Sequence, residues 1–93
     1  MKKPSKLPPI ELLELHFEYD PVNGVLIGPS GKPIGQQIRD ARGLKCKIGK
    51  KQYSLTRICW ALFHRRDPAG YVIRHIDGDA RNNRIDNLRA VKL

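Results

Sequence analysis

Ninety-three residues make one domain with a small core, in which about 60–65% of the unfolded surface is buried. Hydrophobic residues at 40% and charged residues at 29% exclude a disordered chain, and no apolar run approaches the ~18 residues of a membrane span. Eighteen Lys and Arg against nine Asp and Glu leave a net charge of +9, the electrostatic footprint of a nucleic-acid binder.

Residues 1–9 hold three lysines and three prolines and are expected as a flexible basic arm ahead of a single domain over 10–93. No apolar stretch follows Met1-Lys2-Lys3, so no secretory signal is expected and a cytoplasmic location is. Ile10 to Phe17 places apolar residues at 10, 13 and 17 and at 12 and 15, which predicts a short helix. His16 falls on its surface or boundary. Tyr19 to Gly24 reads as a turn, with Pro21 pre-set for it and Gly24 free to take positive φ. Val25 to Ile27 is a short strand, and Gly28 to Gly35 is a loop that lacks the spacing of a phosphate-binding loop.

Leu44 to Ile48 alternates apolar and basic residues, so it predicts a half-buried strand with Lys45 and Lys47 on its polar face. Gly49 to Lys51 turns it into a partner strand over Gln52 to Leu55. The period then switches to 3.6: Leu55, Ile58, Cys59, Leu62 and Phe63 form one helical stripe, with Ser54 as its N-cap. Cys46 and Cys59 have no CxxC partner, so both are expected as reduced thiols, with Cys59 packed on the helical stripe, and neither as a zinc or disulfide site. His64 at the helix end suits the dipole there. A loop over His64 to Gly70 leads into a strand ending at His75. After a polar loop, a second helix is expected from Asn82 or Asn83, with Ile85, Leu88 and Val91 inward and Arg84 and Arg89 on it.

The charge is unevenly spread. Residues 7–20 carry Glu11, Glu14, Glu18 and Asp20 and no Lys or Arg, while 39–66 carry nine Lys and Arg against Asp40 alone. Strand pattern and glycines interrupt the basic stretch, which argues against a membrane-surface helix and for a polyanionic partner.

The stretch from Tyr71 to Arg89 carries His75-Ile76-Asp77-Gly78 and Asn82-Asn83-Arg84-Ile85-Asp86-Asn87-Leu88-Arg89. It resembles the HNH endonucleases, in particular their small phage and homing type. Upstream, Tyr19-Asp20-Pro21, Gly24-Val25, Lys51 to Tyr53 and Arg57 to Leu62 are similar too, so the likeness covers about residues 10–91. The resemblance implies an α+β fold: an N-terminal helix, a β-hairpin, a central helix and a C-terminal ββα-metal motif over about 71–91. It also implies binding of duplex DNA and hydrolysis of a phosphodiester, with one divalent cation, usually Mg²⁺, supplying Lewis-acid help.

Carried over by position, His75 matches the general base and Asn87 the helix Asn that steadies it or the substrate. The acidic metal ligand falls at Arg74, and the last ligand would fall near residue 96, past Leu93. Thr56 stands where relatives often have His. A guanidinium cannot ligate a cation, and it would repel Mg²⁺ by several kcal/mol at a few Å and an effective dielectric of ~20. Asp77, Asp79 and Asp86 are the nearest replacement ligands, although Asp77, Gly78 and Asp79 also read as turn formers and Asn82 and Asn83 as helix caps. Arg74 suits a bidentate grip on phosphate. Candidate nucleic-acid contacts are Lys45, Lys47, Lys50, Lys51, Arg57, Arg74, Arg81, Arg84 and Arg89. Three functions fit these residues: a DNA-binding HNH fold with cleavage lost or weakened, an active nicking endonuclease, and a phage-type inhibitor or adaptor that binds an acidic host protein.

Overall fold

The computed structural model describes residues 6–33, 39–40 and 43–93. Of the expected arm, residues 1–5 lie outside this set, as do Gly35 of the expected loop and Arg42. Leu7 is buried, and its backbone N–H donates to Asp67 Oδ2 at 3.1 Å.

The fold is α+β, built around one helix. Helix α1 (Ile10–His16) follows Pro9, carries Glu11 in its first turn and His16 in its last, and buries Leu13. The Glu11 carboxylate suits the helix dipole. Strands β1 (Glu18–Asp20) and β2 (Val25–Ile27) pair antiparallel, so the chain is already extended at Tyr19, where the sequence predicts a turn. Asp20 makes the turn itself: its carboxylate accepts the Asn23 side chain at 2.7 Å and the Val22 and Asn23 N–H groups. Those bonds, the Asn23 side chain first, hold the Asp20 carboxyl below the usual carboxylate range.

Strands β3 (Arg39–Asp40), β4 (Gly43–Ile48) and β5 (Lys51–Ser54) form an antiparallel sheet in that order. Lys45 pairs with Ser54 and Lys47 with Gln52, which puts Lys45 and Lys47 on one face; Cys46 is buried on the other. Helix α2 (Leu55–His64) starts at Ser54, whose hydroxyl accepts the Arg57 N–H at 3.3 Å, and stops at Arg65 in the left-handed region, φ 57°. Its first two turns are buried nearly all round, with Ile58, Cys59 and Ala61 fully inside. The expected stripe runs short at its end: Leu62 is partly buried and Phe63 is 49% exposed. Both cysteines are free and buried, and desolvation pushes the Cys59 thiol up to about 12.

Strand β6 (Tyr71–His75) pairs with β7 (Leu88–Lys92), and a single 3₁₀ turn at Ile85–Asn87 precedes β7. The helix expected from Asn82 or Asn83 is therefore replaced by turn and strand. Five residues are too few for period to decide: Ile85, Leu88 and Val91 fit a helix, while inward Leu88 and Ala90 either side of exposed Arg89 fit a strand. The open edge of β6 decides it, and the ladder extends past both ends through Ile76 N–H to Asn87 O and Leu93 N–H to Gly70 O, each 2.9 Å. Among the described residues no helix is long and apolar enough to cross a membrane.

Candidate active site

Directly opposed residues of an antiparallel pair share a face, so the register gives the β6–β7 hairpin two different sides. The inner side carries Ile73 with Ala90 and His75 with Leu88, all packed towards α2; the outer side carries Val72 with Val91 and Arg74 with Arg89. Arg74 and His75 are neighbours in sequence and point to opposite sides.

On the inner side His75 meets two residues from other segments. Its Nε2 lies 3.0 Å from Asn83 Oδ1 and 3.1 Å from Thr56 Oγ1, in the first turn of α2; the Thr56 hydroxyl also donates to Asn83 Oδ1. An amide oxygen only accepts, so with Asn83 oriented this way Nε2 carries the ring proton and Nδ1 of the neutral ring is left with its lone pair. Turning the amide over would demand a bare Nε2 instead, so the tautomer reports the orientation. The Asn83 Nδ2 group is buried without a hydrogen-bond partner among the described residues.

Asn83 is 1% exposed, and the β1–β2 hairpin fixes it. The Tyr19 hydroxyl donates to the Asn83 carbonyl, and Ile85 N–H donates to Pro21 O at 3.0 Å. Gly24, at φ 70°, lies so close to this segment that a Cβ there would sit 2.5 Å from Arg84 N and 2.7 Å from the Asn83 carbonyl carbon. Glycine is required at that position twice over, for its φ and for the close approach. Burial raises the Tyr19 hydroxyl well above its usual range.

Of the two roles the resemblance implies for Asn87, steadying the His or the substrate, its side-chain hydrogen bonds do not serve the first, since they go to the loop and not to the His75 ring. Asn87 Oδ1 accepts the Asp77 N–H at 3.0 Å, and its Nδ2 donates to Asp77 Oδ1 and Asn82 O, both at 2.9 Å. It clamps the 77–87 loop. The residue that meets the imidazole is Asn83, which reads from sequence as a helix cap, together with Thr56, whose role the sequence leaves open. A polar residue inside the buried run 55–61 is the signal for Thr56. For Asn83 local sequence holds none, because its burial comes from the docked hairpin.

The described residues do not fit a divalent cation beside His75. Arg74 at the acidic position is a permanent cation on the other side of the hairpin. Asp77 has both oxygens engaged: Oδ1 accepts the Asp79 N–H and Asn87 Nδ2, and Oδ2 accepts Asn82 Nδ2. Those bonds, the Asp79 N–H first, hold its carboxyl below the usual range. Asp79 Oδ1 accepts the Arg81 N–H at 2.9 Å and lies 3.7 Å from Arg81 Nε. Asp86 is exposed on the 3₁₀ turn, and no group of three or more His, Cys, Asp or Glu converges among the described residues. The turn-forming reading of Asp77 and Asp79 holds.

The basic residues divide. Arg57, expected among the nucleic-acid contacts, is turned inward: its guanidinium donates to Tyr71 O at 2.7 Å and Pro68 O at 2.9 Å, pinning the 65–70 loop to α2. Desolvation lowers its pKa and Asp67 opposes that. Lys47, Lys50, Lys51, Arg74, Arg81, Arg84 and Arg89 are exposed, and Lys45 is half-buried. Lys51 pairs with Ile48 and so lies off the Lys45–Lys47 face. Arg84 and Arg89 share no helix; they sit on a loop and on β7. His16 and His64 are exposed, and His64 stacks on Trp60 at a centroid distance of 4.3 Å.

No curated protein and no solved structure matches this chain. One family model does, over residues 53–92, from β5 through α2 and the β6–β7 hairpin; its description is HNH endonuclease. The similar pieces around residues 19–25 lie outside the matched stretch. Thr56, His75, Asn83 and Asn87 all lie within the stretch that is similar to the HNH endonucleases.

Proposed function

We propose that this chain binds duplex DNA through an HNH fold whose phosphodiester cleavage is lost or weakened. The observation that carries the reading is Arg74: a guanidinium occupies the acidic ligand position, on the side of the hairpin away from His75. The nearest carboxylates, on Asp77 and Asp79, are already committed to holding a loop. Cleavage would then lack the charge that stabilises a leaving 3′ oxygen, while a net charge of +9 still favours a polyanion. Lys45 and Lys47, two residues apart on one strand face, are spaced to follow one backbone.

A second reading has its own support. An imidazole held through Nε2 by Asn83 and Thr56, with Nδ1 left to accept a proton, is oriented as a general base needs to be. On that reading the chain is a nicking endonuclease whose cation is held by residues other than 74.

Binding to a labelled duplex, followed by anisotropy between roughly 50 and 200 mM salt, tests the first claim. Log affinity should fall against log salt with a slope of several units, and Lys45→Ala with Lys47→Ala should flatten it. A protein that ignores duplex at low salt would overturn the reading and turn attention to an acidic protein partner.

A further inference from the structure

Arg74 and Arg89 stand directly opposite each other in the β6–β7 ladder, on its outer side, and both are exposed. Ladder bonds from Ile76 to Asn87 and from Leu93 to Gly70 set the alternation, which makes 74 and 89 a hydrogen-bonded pair. Side chains paired this way start about 5.5 Å apart at Cα. Among the described residues neither guanidinium has an ion-pair or hydrogen-bond partner, whereas Arg65 is paired with Glu14 and Arg81 with Asp79. Like charges facing each other across two strands destabilise a sheet, so this hairpin carries an electrostatic cost that nothing described in the fold offsets. A single anion between the two forks would offset it, and a guanidinium matches the oxygens of a phosphate in a way an ammonium does not.

We propose that Arg74 and Arg89 form a two-guanidinium clamp for one backbone phosphate of a bound nucleic acid. The proposal rests on the nucleic-acid reading for the identity of its ligand, but the clamp itself rests only on register, exposure and charge. Its position has a consequence: a phosphate held there lies on the side of the hairpin away from His75, so the clamp positions the strand and does not present that phosphate to the imidazole.

Two arms test this with the full chain. In the first, thermal melting is compared in sodium phosphate and in sodium chloride at matched ionic strength. Phosphate should raise the melting temperature of the native protein by about 2 °C or more beyond chloride, and Arg74→Gln or Arg89→Gln should each abolish that excess. Without phosphate both variants should fold and melt at or slightly above the native temperature, since the repulsion is gone. An excess that survives in either variant, or is missing from the native protein, would overturn the clamp. In the second arm, each single variant should weaken duplex binding by about tenfold, and the double variant by little more than one single. Effects that simply multiply would mean two separate contacts and would also overturn it. A phosphate excess lost in the variants alongside unchanged duplex binding would leave an anion site for free phosphate and would overturn its assignment to nucleic acid. Absence of any duplex binding in the native protein would instead be the failure of the proposed function, with the first arm still deciding the clamp.

Discussion

The two sides of the β6–β7 hairpin follow opposite rules. Towards the loop end of the inner side the side chains are packed or hydrogen-bonded: Leu88 joins the core, Ile73 and Ala90 pack against it, and His75 is tied to Thr56 and Asn83. On the outer side two arginines face each other without partners among the described residues, beside a pair of half-buried valines. One strand supplies both, through the two-residue period of its side chains. Orientation of the imidazole is thus built into the fold, while charge is held out for something else to meet. Substitutions on the inner side and in its supports should cost stability; those on the outer side should cost binding.

The strongest way to break that division is Gly24→Ala. The added methyl must displace the Asn83–Arg84 backbone, and φ 70° is strained for alanine, so a loss of about 3 kcal/mol or more is expected in denaturant unfolding. Loss of the ordered His75 environment in NMR should accompany it. Next comes Arg57→Ala, which strands two carbonyls and should cost about 2–3 kcal/mol. Because Arg57 points inward, the salt slope of duplex binding by the folded variant should be unchanged; a flatter slope would put Arg57 back at the interface. Thr56→Val should cost about 1–2 kcal/mol by leaving Asn83 Oδ1 with one partner fewer. Nitrogen-15 NMR of the ring should still find Nε2 protonated there, since Asn83 Oδ1 remains; a proton on Nδ1 would show that the amide is turned the other way.

The smallest effect expected is acid sensitivity through Asp77. Its folded carboxyl is held below the usual 3.8, so the loop gains stability above that value and loses it as pH falls through the lower, folded one. Asp77→Asn should narrow the difference between melting at neutral pH and melting below pH 3.8. An identical difference in variant and native protein would show that the 77–87 loop takes no part in acid unfolding.

Much of this is legible in the chain. The Leu55, Ile58, Cys59 spacing locates α2, Ser54 its cap, and the alternation at 44–48 the face that carries Lys45 and Lys47. His75 stands at the end of its strand, as the pattern predicts. Local pattern fails where structure is decided at a distance. Leu88 to Lys92 is a strand because β6 offers it an edge, not because its five residues insist on one. Asn83 sits next to Asn82 in sequence, yet one is a buried partner of the imidazole and the other bonds Asp77 at the surface. Only the docking of Tyr19 and Gly24 separates them. Arg57 shows the converse: a basic residue in a basic stretch, turned inward because the loop after α2 has two carbonyls to satisfy.

On the proposed reading, an oriented histidine and a DNA-binding surface coexist in this chain without effective cleavage. Nicking of supercoiled plasmid, with Mg²⁺, Mn²⁺ or chelator and beside His75→Ala, tests it most directly. Plasmid should be bound at low salt and recovered uncut, or cut only at a trace rate, in every lane. Efficient metal-dependent nicking that disappears in His75→Ala would contradict it, and would make this chain a working nuclease whose cation is held by oxygens other than those of residue 74.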